Sequence, residues 1–151
     1  MARHATAICV GLVAMIATAV AEAAPEIWAP ASRPAQAVTG KVTFSPTEIT
    51  FQNGKSLPLA SNGQMLFRPE AKAKKILADL YKVTSPDSPV LENGSSLCKG
   101  KPVSYMLVWK SESVGKPAGV RILAPFSGQK FTPGSPDDCG RFIYEAAAMR
   151  P

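Results

Sequence analysis

Apolar and polar residues alternate most regularly in the stretch SSLCKGKPVSYMLVWK, Ser95 to Lys110. Val103, Tyr105, Leu107 and Trp109 fall on one face of an extended chain there, and Ser104, Met106, Val108 and Lys110 on the other. This period of two predicts a strand whose large apolar face enters a core and whose mixed face is partly covered. Three shorter β-type runs precede it, at 38–45, 47–52 and 55–60, each drawing on Val, Thr, Ile and Phe. Asn53-Gly54 marks the turn between the second and third. A two-residue loop would set Phe51 opposite Ser56 and scatter the apolar residues over both faces. A three-residue loop, Gln52-Asn53-Gly54 with Gly54 left-handed in a bulge, instead pairs Ile49 with Leu57 and Thr47 with Leu59 on one face, so the pattern favours it. The phrase returns forty residues on as Leu91-Glu92-Asn93-Gly94-Ser95-Ser96-Leu97, which predicts a second hairpin just before Cys98.

Between these turns the spacing predicts one amphipathic helix, at about 69–81. Pro69 suits a first helical position, and Ala73, Ile76, Leu77, Leu80 and Tyr81 form a single apolar stripe, with Lys72, Lys75, Asp79 and Lys82 opposite. Further strands are expected at 118–125 and 141–147. The fold class is therefore mainly β, an antiparallel sandwich or partly open barrel with one helix over an end or edge. Val103, Tyr105, Leu107 and Trp109 are expected to face inward with Ile49, Leu57, Ile122, Phe142 and the helix residues Ile76, Leu77 and Leu80.

The N-terminus changes this picture by shortening the folded part. Arg3 and His4 precede an apolar, small-residue run from Ile8 to Ala21, and Ala19-Val20-Ala21 or Ala21-Glu22-Ala23 supplies a small-x-small cleavage pattern, so 1–24 reads as a secretory signal cut after residue 21, 23 or 24. The run is too short for the roughly 20 residues of a spanning helix. Residues 25–37, PEIWAPASRPAQA, read as a Pro/Ala-rich flexible tether, and 38–147 as a single β-rich domain. All 14 prolines follow the leader, a density that favours short strands and turns over long helices.

The net charge of +6 falls by at most one on processing, and outside the cytoplasm it favours an anionic envelope polymer, lipid head groups or an acidic protein as partner. Nothing in the sequence calls for nucleic acid or a cofactor, and no segment after the leader predicts a membrane span. The only histidine, His4, lies in the leader, so the processed chain lacks Ser-His-Asp and Cys-His catalysis and the commonest metal ligand. Cys98 and Cys139 are two cysteines in an exported chain and predict a structural disulfide, a link contributing roughly 3 to 4 kcal/mol. No Cys-x-x-Cys accompanies them. Ser-x-x-Lys spacings at Ser96 to Lys99, Ser113 to Lys116 and Ser127 to Lys130 sit beside Gly or Pro in turns, where the spacing does not join the side chains as it would on a helix. Gly54-Lys55-Ser56 belongs to a hairpin and not to a strand-to-helix phosphate loop. Lysines that follow glycine, Lys41, Lys55, Lys101 and Lys116, would form a basic rim if the fold gathered them; Lys55, Lys99, Lys101 and Lys116 are the candidate binding residues. Asp137, Asp138 and Glu145 are the carboxylates on which a histidine-free hydrolase would depend, though a turn hydrogen bond is the expected role of one aspartate.

Laid out as FSPTEITFQNGKSLPL, LYKVTS, VLENGSSLCKGKPVSY and DDCGRFIY, the chain resembles small exported β-rich bacterial proteins of unassigned function over most of 38–144. In outline it is also similar to the periplasmic lysozyme inhibitors, small β-barrels with a disulfide, but it has no Ser-Gly-x-x-Tyr segment of the kind that family uses on its inhibitory face. These resemblances imply export, β structure and the cysteine pair. An exported non-enzymatic binding or inhibitor-like module of the envelope is the function expected, with the carboxylate hydrolase or a purely structural envelope protein as alternatives.

Overall fold

The computed structural model describes residues 23–111, 119–135 and 137–147. The chain is mainly β, as the alternation predicts, and its strands close into an eight-stranded antiparallel barrel in sequence order. The strands are β1 (Glu26–Pro30), β2 (Val42–Ser45), β3 (Glu48–Phe51), β4 (Ser56–Phe67), β5 (Ile76–Asp87), β6 (Val103–Ser111), β7 (Val120–Ser127) and β8 (Phe142–Ala146). Pairing of Trp28 with Ala146 and of Pro30 with Tyr144 joins the first strand to the last. An eight-stranded barrel has an interior just wide enough for side chains to fill it. Trp28, Val42, Phe44, Ile49, Phe51, Leu57, Leu59, Tyr81, Val83, Met106, Val108, Leu123, Phe142 and Tyr144 do so here.

The first hairpin has the expected register. Ile49 lies opposite Leu57, Leu59 donates its N–H to Thr47 O at 2.8 Å, and Gly54 takes the left-handed φ of 81° that the three-residue loop requires. The repeated phrase folds into a similar turn without becoming a hairpin. Phe51 N–H donates to Lys55 O at 2.8 Å and Leu91 N–H to Ser95 O at 2.7 Å, but the second turn lies in the long connection between β5 and β6 with no strand pair across it.

Two expectations are corrected. No helix forms at 69–81: Ile76–Asp87 is β5, paired with β4 on one side and β6 on the other. The sequence Ile76 to Val83 carries both periods. Its even positions Ile76, Ala78 and Leu80 face outward into one apolar layer, and its odd positions Tyr81 and Val83 face the interior, so pairing on both flanks overrides the helical stripe. Helical structure among the described residues is confined to 33–39, which ends in a π-helical turn at Ala35–Thr39, and to a 3-10 turn at Glu92–Gly94. Nor is 25–37 a tether, because Glu26–Pro30 is a barrel strand and the π-helical turn buries Ala35 and Thr39. Its prolines are compatible with this order, since Pro30 ends a strand and Pro34 begins the turn. The folded unit therefore includes β1, ahead of the expected boundary at 38. Of the expected signal segment, only Ala23 and Ala24 lie among the described residues.

The expected core divides into two layers. A register shift between Val103 and Tyr105 bulges β6, leaving Val103, Met106 and Val108 inside the barrel and turning Tyr105, Leu107 and Trp109 to its outer face. There they meet Ala78 and Leu80 of β5 and Ile122, Ala124 and Phe126 of β7. Phe67 at the end of β4 covers Trp109, with ring centroids 5.5 Å apart, and Phe131 of the β7–β8 connection covers Phe126 at 4.8 Å. The Arg141 guanidinium closes the gap, 5.3 Å from the Phe67 centroid and 5.7 Å from that of Trp109. Leu77, expected inside, is 57% exposed. Leu107 has no solvent exposure. Leu107→Ala should cost about 2 to 5 kcal/mol in urea denaturation, and a loss below about 0.5 kcal/mol would instead be that of a surface position.

Candidate functional site

In an up-and-down barrel, alternate connections emerge at the same end. The connections 31–41, 52–55, 88–102 and 128–141 therefore share one end, and the turn at 46–47 and the β4–β5 connection at 68–75 share the other. Two strands separate Gly40-Lys41 from Gly54-Lys55, and two more separate the latter from Gly100-Lys101, which brings these lysines to the first end. The loops there are tied to one another. Gln52 Oε1 accepts the Lys41 N–H at 2.9 Å, Asn53 Nδ2 donates to Val90 O at 2.9 Å, and Asn93 Nδ2 donates to Ala37 O at 3.1 Å. Beneath them the buried hydroxyls of Thr39 and Tyr144 lie 2.8 Å apart. Burial raises the Tyr144 pKa against the opposing effect of the Thr39 hydrogen bond, so its hydroxyl stays protonated.

Cys98 and Cys139 are bridged, with Cα atoms 5.0 Å apart, and the bridge joins the β5–β6 and β7–β8 connections at this end. Two grooves meet beside it. One of 640 Å³ is lined by Val38, Val90, Leu97 and Phe142 among others, and the second, of 480 Å³, by Lys101, Ser127 and Asp138; Lys99 and Cys139 border both. Lys99 and Gly100 are the central residues of a turn in which Lys101 N–H donates to Cys98 O at 3.1 Å. Both have positive φ, 53° at Lys99 and 83° at Gly100. Such a turn normally takes Asn, Asp or Gly at its first central position, and a lysine held there is strained. Ser96 Oγ accepts the Gly100 N–H at 2.7 Å, so its spacing to Lys99 builds the turn and not a serine–lysine nucleophile. Lys55, Lys99 and Lys101 are exposed and form no ion pair among the described residues. Lys116 and Ser113 lie outside the described residues.

Asp138 and Glu145 are not gathered into a catalytic pair. Asp138 Oδ1 accepts from Gly140 N–H at 2.9 Å and from Arg141 Nη1 at 2.7 Å, the turn role expected of one aspartate. It bridges to Phe126 near the end of β7, whereas Glu145 pairs with Val120 at its start. At about 3.3 Å per residue this sets their backbones about 20 Å apart, beyond the roughly 5 to 9.5 Å of a glycosidase pair.

At the opposite end, the barrel mouth holds a cavity of 170 Å³ lined by Glu26, Trp28, Asp79, Tyr81, Lys110 and Arg121 among others. Arg121 Nε donates to Glu26 Oε2 at 2.9 Å, and Trp28 Nε1 donates to the same oxygen at 2.9 Å. Desolvation raises the Glu26 pKa, but the hydrogen bonds from Arg121 and Trp28 and the charges of Arg121 and Lys110 outweigh it, so the group stays below its usual value. A carboxylate held ionised in this way is a poor proton donor. Burial, together with the charges of Asp79 and Glu26, raises the Tyr81 pKa. Sequence reasoning passed over this cluster. Its available signal was Arg121, a charge on the inward period of the otherwise apolar strand VRILAPFS.

No protein-family model, curated protein or solved structure matches the chain. Among the described residues no helix is long and apolar enough to cross a membrane. The cysteine bridge is compatible with an oxidising, exported compartment.

Proposed function

We propose that the protein is an exported, non-enzymatic binding module that holds an anionic envelope polymer or an acidic protein surface against the lysine end of the barrel. The observation that carries this reading is Lys99, kept in a left-handed backbone conformation on the border of two grooves, with Lys101 beside it and Lys55 on a neighbouring loop of the same end. Strained backbone that the surrounding structure over-determines clusters at ligand sites, and here the disulfide and the interloop hydrogen bonds supply the constraint. The grooves are open and, among the described residues, the lysines are not neutralised by fixed partners, an arrangement suited to a repeating anion and not to an enclosed substrate. The pairing of Asp138 with Arg141 and its distance from Glu145 weigh against the hydrolase.

The test is binding of the processed protein to polyglutamate as a defined polyanion. Affinity should fall steeply as salt rises from 0.01 M to 1 M, because the Debye length shrinks from about 30 Å to about 3 Å. Replacing Lys55, Lys99 and Lys101 by glutamine should weaken binding more than tenfold. Lys99→Gly should weaken it as well while leaving the melting temperature unchanged or higher, since glycine relieves the positive φ. Binding that ignores both salt and these changes would overturn the reading, and hydrolysis abolished by Asp138→Asn would move the protein to the hydrolase class. Inhibition of lysozyme that is lost with the same lysines would identify an inhibitor acting through this end.

A further inference from the structure

β4 and β5 are far longer than their neighbours, and their outer halves form a two-stranded arm beyond the barrel rim. β3 pairs with β4 only as far as Pro58, and β6 pairs with β5 only from Asp79 onward, while the β4–β5 ladder runs on to Phe67 opposite Ile76. One face of this arm is anchored. Met65, Phe67, Ile76 and Ala78 pack into the outer apolar layer, under Arg141 and against Trp109. The other face continues the side that lines the interior lower down, but past the rim nothing among the described residues covers it. Leu66 and Leu77 are direct cross-strand partners on that face, 65% and 57% exposed. At the tip, residues 68–75 carry Arg68, Lys72, Lys74 and Lys75, all exposed, against one acid, Glu70.

We infer that this arm docks on an anionic lipid surface, with Leu66 and Leu77 entering the interface and the four cations at the level of the headgroups. The surface is distinct from the lysine end and lies at the opposite end of the barrel. Three features favour lipid over an acidic protein. A tip two strands wide cannot supply the roughly 800 Å² per partner of a stable protein interface. Two adjacent leucines flanked by long basic side chains suit a boundary where apolar groups sink and charges stay wet. The anchored face fixes the arm's orientation, so little order is lost when it docks.

The experiment is cosedimentation of the protein recovered from its native compartment with vesicles of phosphatidylcholine alone and of phosphatidylcholine mixed with phosphatidylglycerol. Binding is expected to the anionic vesicles only. Lys72→Gln, Lys74→Gln and Lys75→Gln together should reduce it about a hundredfold, at roughly fivefold per charge. Leu66→Thr with Leu77→Thr keeps strand-forming residues and should remove the part of the binding that persists in high salt. Because all these positions are exposed, an unchanged thermal melt serves as the folding control. Lys99→Gln with Lys101→Gln should leave vesicle binding intact, which separates this inference from the lysine-end reading. Failure of the unaltered protein to bind anionic vesicles would overturn it. So would equal binding to neutral vesicles, or a self-association that the two leucine changes abolish in place of vesicle binding.

Discussion

Replacing Trp28 by alanine is expected to cost about 3 to 5 kcal/mol, a large part of the stability of a domain this size. Trp28 is 1% exposed, in a segment that sequence reading assigned to a tether. Its ring stacks on Phe44 at 4.5 Å between centroids and meets Tyr144 at 5.7 Å, while its backbone lies between Val42 of β2 and Ala146 of β8. The substitution leaves a cavity at the seam where the barrel closes and removes one of the donors that hold Glu26. Trp28→Phe should cost much less, because it keeps most of the packing. Urea denaturation of the two variants measures both effects, and a loss under about 1 kcal/mol for Trp28→Ala, the size of an average substitution, would return β1 to the status of a tail.

Loss of the Cys98–Cys139 bridge is the second large effect. The bridge spans 41 residues of sequence, and on the chain-entropy account a closed loop of that length contributes about 4 kcal/mol. Reduction, or Cys98→Ser with Cys139→Ser, should lower the melting temperature by about 10 to 20 °C. The same change frees the turn that presents Lys99 from the connection before β8, so polyanion binding should weaken even below the melting transition. Calorimetry of oxidised and reduced protein gives the first quantity. A shift under about 3 °C, less than 1 kcal/mol on the same scale, would mean the eight-stranded ladder alone holds these loops.

What could be read from the sequence depended on how local each signal was. The Ile49–Leu57 register was legible because a turn type and an apolar alternation sit within a dozen residues of each other. The cysteine pair was legible because only Cys98 and Cys139 follow the apolar N-terminal run, and two cysteines allow a single intramolecular pairing. The stretch Ile76 to Val83 was misread because it satisfies the helical and the strand period together, and only the partners on both sides decide. β6 was misread in part because one bulge at Ser104 exchanges its faces, and the outer layer that covers Leu107 comes from β4, β5, β7 and the β7–β8 connection. Trp28 looked idle because its five-residue strand, hemmed by Pro25 and Pro30, is too short to show a period. All four Gly-Lys pairs were visible as a motif, but the meeting of the three described ones at one end follows from counting strands between them. The Glu26–Arg121 pair joins the first strand to the seventh, a separation beyond any local pattern.

The seam between β1 and β8 also governs when the protein can become itself. Trp28 must find Ala146 across nearly the whole length of the chain, and contacts of such long sequence separation are slow to form because their loop entropy is lost before any pairing rewards it. The hairpins β2–β3, β4–β5 and β6–β7 need only neighbouring segments, so they can assemble before β8 is in place. Until that last strand arrives, β1 and β7 both present unpaired ladder edges. The chain is thus most exposed to misassociation in the interval before its last strand pairs, and closure ends that interval.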